Sequence, residues 1–226
     1  MPINLLSPKA RLKQKIRLAH RELLIIFSAL LVFAVSWLFP IDSAAEFLFA
    51  SFIIFFVFPA VVIKFLLKEP LSKYGLSLGN FKIGIISATS FAAVAIIAML
   101  FLIKIPSLKN QIHLIAGIDQ NFSYFLWIEL IIIPVIFFSR EFFFRGFIQL
   151  GLEEKTGSYA ILAQAMLFTM LFVRSSWLEL IYAFLAALAA GLITKFSRSI
   201  YYSLCALWII SLVVDILIIR MASRGI

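Results

Sequence analysis

Seven stretches of mainly apolar residues recur along this chain, near 23–39, 44–67, 83–103, 123–139, 158–173, 177–194 and 200–219. Each approaches the run of about 20 residues that an α-helix needs to cross a hydrocarbon core of about 30 Å. The pattern specifies an all-α, polytopic transmembrane helix bundle of about seven spans. Composition excludes a soluble domain, because 64% of the 226 residues are hydrophobic and 14% are charged, leaving more apolar surface than a domain of this size can bury.

The charge distribution orients the bundle. Placing the amino terminus in the cytoplasm puts fifteen of the twenty Lys and Arg residues inside, among them six between Lys9 and Arg21 together with Lys64, Lys68, Lys73 and Lys82. Outside are Lys104, Lys109, Arg174, Arg220 and Arg224, as the excess of positive charge in cytoplasmic loops requires. The net charge of +9 therefore reports topology, and a nucleic-acid partner is not expected because the basic residues flank apolar runs. Residues 1–22 read as a cytoplasmic basic head, either a short helix on the anionic leaflet or a solvated tail. Residues 23–226 read as a single transmembrane domain whose first span is a retained anchor. The connection 104–122 suits a short interfacial helix. Cys205, the single cysteine, excludes an intrachain disulfide. The lipid bilayer is the expected partner, a membrane protein or peptide a further one, and the sequence leaves the oligomeric state open.

Ionisable groups inside spans mark candidate sites because lipid makes them costly. The acidic ones are Glu46, Glu129, Glu141, Glu179 and Asp215. Glu46 and Glu179 lie near span ends, where a carboxylate reaches interfacial water, whereas Glu129 and Asp215 lie deeper. The segment Ser139-Arg-Glu-Phe-Phe-Phe-Arg-Gly-Phe-Ile-Gln149 places Glu141 and Arg145 four apart, on one helix face and in the order that favours an ion pair.

This segment resembles the first motif, Glu-Glu-x-x-x-Arg followed by Gly, of the intramembrane metalloproteases that comprise CAAX proteases and bacteriocin-processing proteins (the CPBP family). Tyr74-Gly-Leu-Ser-Leu-Gly79 resembles that family's lead-in to a span, and a CAAX-protease-like core extends over about 68–215. The resemblance implies a water-activating glutamate, with histidines from Phe-x-x-x-His and His-x-x-x-Asn motifs completing a metal or catalytic site. In this chain Arg140 stands at the first glutamate, where a guanidinium cannot act as a base. Glu141 is the second glutamate and Arg145 the arginine. Phe168 opens the second motif, and Phe172 stands at its histidine. Leu207 and Ser211 stand at the histidine and asparagine of the third, and a one-turn shift pairs Ser211 with Asp215.

The chain's two histidines, His20 and His113, fall on opposite sides of the bilayer in this topology, so no metal site and no cofactor are expected. Zinc enters only in an alternative in which the chain is an active endopeptidase with Glu141 as its base. A site made of Glu129, Glu141 and Asp215 is a further metal arrangement, opposed by Arg140 and Arg145. The leading expectation is a catalytically degenerate relative, a pseudoenzyme binding a membrane peptide or partner in a prokaryotic cytoplasmic membrane. A small transporter using Glu129 and Asp215 is the other alternative.

Overall fold

The computed structural model describes residues 8–38, 44–102 and 121–223, with side chains described for 19–36, 48–102 and 121–220. These residues form seven helices, α1 (Pro8–Leu38), α2 (44–67), α3 (Phe81–Leu102), α4 (Phe122–Thr156), α5 (Tyr159–Met170), α6 (Trp177–Ser197) and α7 (Tyr201–Ser223). There is no strand among the described residues. Of the expected helix over 104–122, all but Asn121 and Phe122, which cap and open α4, lies outside them, His113 included.

Six helices contain segments long and apolar enough to cross a membrane. The exception, α5, has 12 residues, which at about 1.5 Å per residue is about 18 Å and short of the hydrocarbon core. The apolar run expected over 158–173 continues past Met170, but its backbone turns at 171–174. The fourth run is longer than expected, since the helix continues through the Glu141–Arg145 motif to Thr156. The basic head is continuous with the first span, because α1 runs unbroken from Pro8 to Leu38.

Burial is arranged for lipid. Large apolar side chains such as Phe27, Phe65, Val94 and Phe101 face outward with about two-thirds of their surface exposed, while Glu129, Arg145, Gln149, Gln164, Thr194 and Ser203 are fully buried. In water such a surface would associate; in a bilayer it is solvated, and the polar groups gather inside to find partners.

Two prolines explain local widening of the helices. Pro59 and Pro134 each lie two residues beyond a π-helical turn, Ile53–Val57 and Ile128–Ile132 respectively. A proline ring inside an α-helix clashes with the carbonyl four residues earlier and donates no hydrogen bond, and the wider turn accommodates both defects.

The lead-in after α2 docks on the α6–α7 turn. Ile200 N donates to Gly75 O at 3.1 Å, and Asn80 N donates to Ser197 O at 2.7 Å. The Tyr202 hydroxyl donates to Leu78 O at 2.8 Å. Gly79 has φ +51, and a Cβ there would sit 2.0 Å from Ser197 O, so both conformation and space demand glycine. Gly146 of α4 likewise passes against the Tyr74 carbonyl, 2.5 Å from where its Cβ would be.

Charged groups collect at this same end of the bundle. Arg21 of α1 reaches Glu154 at 2.5 Å and Glu69 at 3.5 Å, Lys73 pairs with Glu69 at 2.9 Å, and Lys155 pairs with Glu22. Arg198 meets Glu153 at 2.6 Å. The Tyr74 hydroxyl donates to Glu69 at 2.6 Å. Burial pushes the Glu69 carboxyl up, but the Tyr74 hydroxyl, Lys73 and Arg21 more than offset this and hold it below the usual carboxylate value.

Candidate functional site

The centre of the bundle is the middle of α4, where every residue from Glu141 to Leu150 is buried. The segment Phe142–Leu150 is π-helical, which alters the ordinary α-helical stagger of successive side chains. Phe142, Phe143, Phe144 and Phe147 pack with Phe55 and Phe56 of α2, Phe33 of α1 and Phe168 of α5. This aromatic shell walls off the two charged residues it contains.

Glu141 and Arg145 form the ion pair their spacing implies, with Arg145 Nη1 2.9 Å from Glu141 Oε1 and both side chains sealed from the surface. Glu141 Oε2 accepts a 2.5 Å hydrogen bond from Ser203 Oγ of α7. Ser203 in turn lies 3.2 Å from Thr194 Oγ1 of α6 and 3.0 Å from the Ile200 carbonyl. Arg145 Nε and Nη2 have no hydrogen-bond partner among the described residues. Instead the guanidinium lies over the Phe168 ring, 4.5 Å from its centroid, a cation–π contact that is strongest when desolvated, as here.

The structure brings together part of the sequence-derived set. Phe168 touches Arg145, and Phe172 packs on Phe168 with ring centroids 5.5 Å apart. Leu207 and Ser211 lie one and two turns beyond Ser203 on α7, both half-buried. The α7 group on Glu141 is therefore Ser203, which the motif alignment passed over although it stands one turn before Leu207. Arg140 is half-buried, about 100° round the helix from Glu141, and the groups acting on Glu141 are Arg145 and Ser203. Asp215 lies three turns past Ser203, at Glu129 rather than at Glu141.

Residues 121–213 match the family model described as type II CAAX prenyl endopeptidase Rce1-like. Over this region, about two-fifths of the chain, it is similar to that family. The Rce1-like region contains every position from Glu141 to Ser211 at which the motifs were sought, while Tyr74–Gly79 and Asp215 fall outside it. No curated protein and no solved structure matches the chain.

The metal that the family resemblance implies does not fit the residues present. One Glu141 oxygen is held by Arg145 and the other by Ser203, and Phe172 and Leu207 offer no donor atom. His20 is exposed on α1, and His113 lies outside the described residues. Among the described residues no three His, Cys, Asp or Glu side chains lie close enough to hold a metal. The arrangement of Glu129, Glu141 and Asp215 does not form, since Glu141 lies twelve residues along α4 from Glu129, about 18 Å at helical rise.

Within the Rce1-like region two further polar contacts tie helices together. Gln149 Nε2 donates to Gly191 O and Gln164 Nε2 to Ala187 O, each at 2.8 Å. Both amides lie against Gly191. Glutamine inside an apolar run was the available signal for these cross-helix bonds.

Proposed function

We propose that this Rce1-like membrane protein is a noncatalytic relative of the intramembrane endopeptidases, keeping their helical scaffold to bind a membrane peptide or partner protein. One observation carries the reading: Glu141, the carboxylate of the first motif, is held on both oxygens inside the protein, with Phe172 and Leu207 where imidazoles would complete a metal site. A carboxylate whose two oxygens are engaged by an arginine and a serine inside a sealed aromatic shell is not placed to take a proton from a substrate water.

In this reading the membrane is a prokaryotic cytoplasmic membrane, with the amino terminus in the cytoplasm. Supporting this orientation, Arg21, Lys73, Lys155 and Arg198, all assigned to the inner side by charge, share one end of the bundle. Arg140 gives the neighbourhood of the former catalytic position a positive character suited to a peptide carboxylate or an anionic lipid headgroup.

The test is cleavage of membrane-anchored peptides by protein purified in mild detergent, comparing wild type with Glu141→Gln and running an active family member in parallel. Equal absence of cleavage in both supports the proposal. Cleavage by wild type that Glu141→Gln abolishes overturns it.

A further inference from the structure

Outside the Glu141 centre, α4 and α7 place a second pair of acidic side chains together. Glu141 meets Ser203, and Trp208 Nε1 donates to the main-chain carbonyl of Glu129 at 2.8 Å, so the two helices run antiparallel. Twelve residues from Glu141 toward the start of α4 is Glu129, and twelve from Ser203 toward the end of α7 is Asp215. The register therefore sets them at the same depth in the bundle, and the two carboxyls lie within interaction range of each other.

Glu129 is fully buried, and neither of its carboxyl oxygens has a hydrogen-bond partner among the described residues. The indole N–H of Trp208 is committed to the backbone rather than to the carboxyl. No ion pair to Glu129 or Asp215 forms among the described residues. Two ionised carboxylates side by side in a lipid-embedded interior repel each other, and neither has a proton to donate to the other. A proton on either carboxyl supplies an O–H that the other can accept.

We propose that Glu129 and Asp215 form an intramembrane proton-binding site in which the two carboxyls share a single proton. Binding adds a proton to one carboxylate oxygen, whose O–H then donates to the other carboxylate. Release breaks that hydrogen bond and restores the second negative charge, and nothing else is consumed. The site is distinct from the Glu141 centre and does not depend on the binding role proposed for it.

Other titratable groups around the pair are few. From α6, Tyr182 lies within electrostatic range of Asp215. Arg220 is the cation on the next turn of α7, and α2, which packs here through Leu48, carries Glu46, whose side chain lies outside those described. Tyr182 is 37% exposed at the bundle surface.

The test is infrared spectroscopy of the full chain in lipid nanodiscs, following the carbonyl stretch of protonated carboxylic acid as pH is varied. The expected result at neutral pH is one protonated carboxyl per chain, insensitive to sodium. Its band shifts in Glu129→Gln and in Asp215→Asn and disappears in the double variant. Absence of the band in wild type overturns the proposal, as does a band unchanged in all variants. Displacement of the band by sodium overturns it in favour of a cation site. The wild-type titration decides the matter even if a variant fails to fold.

Discussion

Ser203 and Glu141 join α7 to α4 through a 2.5 Å hydrogen bond in a region from which both side chains are closed off. The serine hydroxyl does for the carboxylate what water does at an exposed site. Ser203→Ala should therefore cost about 1–3 kcal/mol, the penalty for a buried charged acceptor that loses its donor, while Ser203→Thr keeps the hydroxyl and most of the stability. Unfolding of the purified protein in mixed micelles measures both.

The Glu141–Arg145 pair should behave as a unit. Replacing Arg145 by Met leaves a buried carboxylate without its counter-ion and should cost about 3–5 kcal/mol. Adding Glu141→Gln to Arg145→Met removes the stranded charge, so the double variant should be more stable than Arg145→Met alone. A double-mutant cycle on unfolding free energies checks this coupling.

Much of this centre was legible in the sequence, and the reason is geometric. Glu141 and Arg145 are four apart on one helix, so spacing alone sets their contact. The helical bundle was legible too, because lipid leaves apolar runs little choice but helix. Contacts between elements were less accessible. Ser203 went unrecognised because the motif count led to Leu207 and Ser211, one and two turns further along α7. The meeting of Glu129 with Asp215 depends on the antiparallel register of two helices that are far apart in the chain. The shortness of α5 escaped because an apolar composition continues through the turn that ends it.

Gly191 should resist any side chain. A Cβ there would lie 2.7 Å from Gln164 Nε2 and 2.9 Å from Gln149 Oε1, displacing the two amides that bond the α6 backbone. Gly191→Ala should destabilise the protein by about 1–3 kcal/mol, as overpacked interiors do. Gly157→Ala, with nothing near its Cβ but φ +57, separates this packing effect from backbone strain in the same unfolding assay.

Acid should loosen the grip of α1 on the rest of the bundle. The folded state holds Glu69 below its ordinary value, so its contribution is fully present above the unfolded carboxylate value and is lost as pH falls through the lower folded one. Glu69→Gln should remove that part of the acid sensitivity. Unfolding midpoints of wild type and variant, measured from neutral pH down through the carboxylate range, should converge at the acid end.

The proposal that the Glu141 centre lacks the groups to hold a catalytic metal is tested most directly by zinc content after loading and exhaustive washing. Wild type should retain no zinc that Glu141→Gln removes, whereas a chain carrying Arg140→Glu, Phe172→His, Leu207→His and Ser211→Asn together should gain it. Stoichiometric zinc in wild type that is lost in Glu141→Gln would contradict the account.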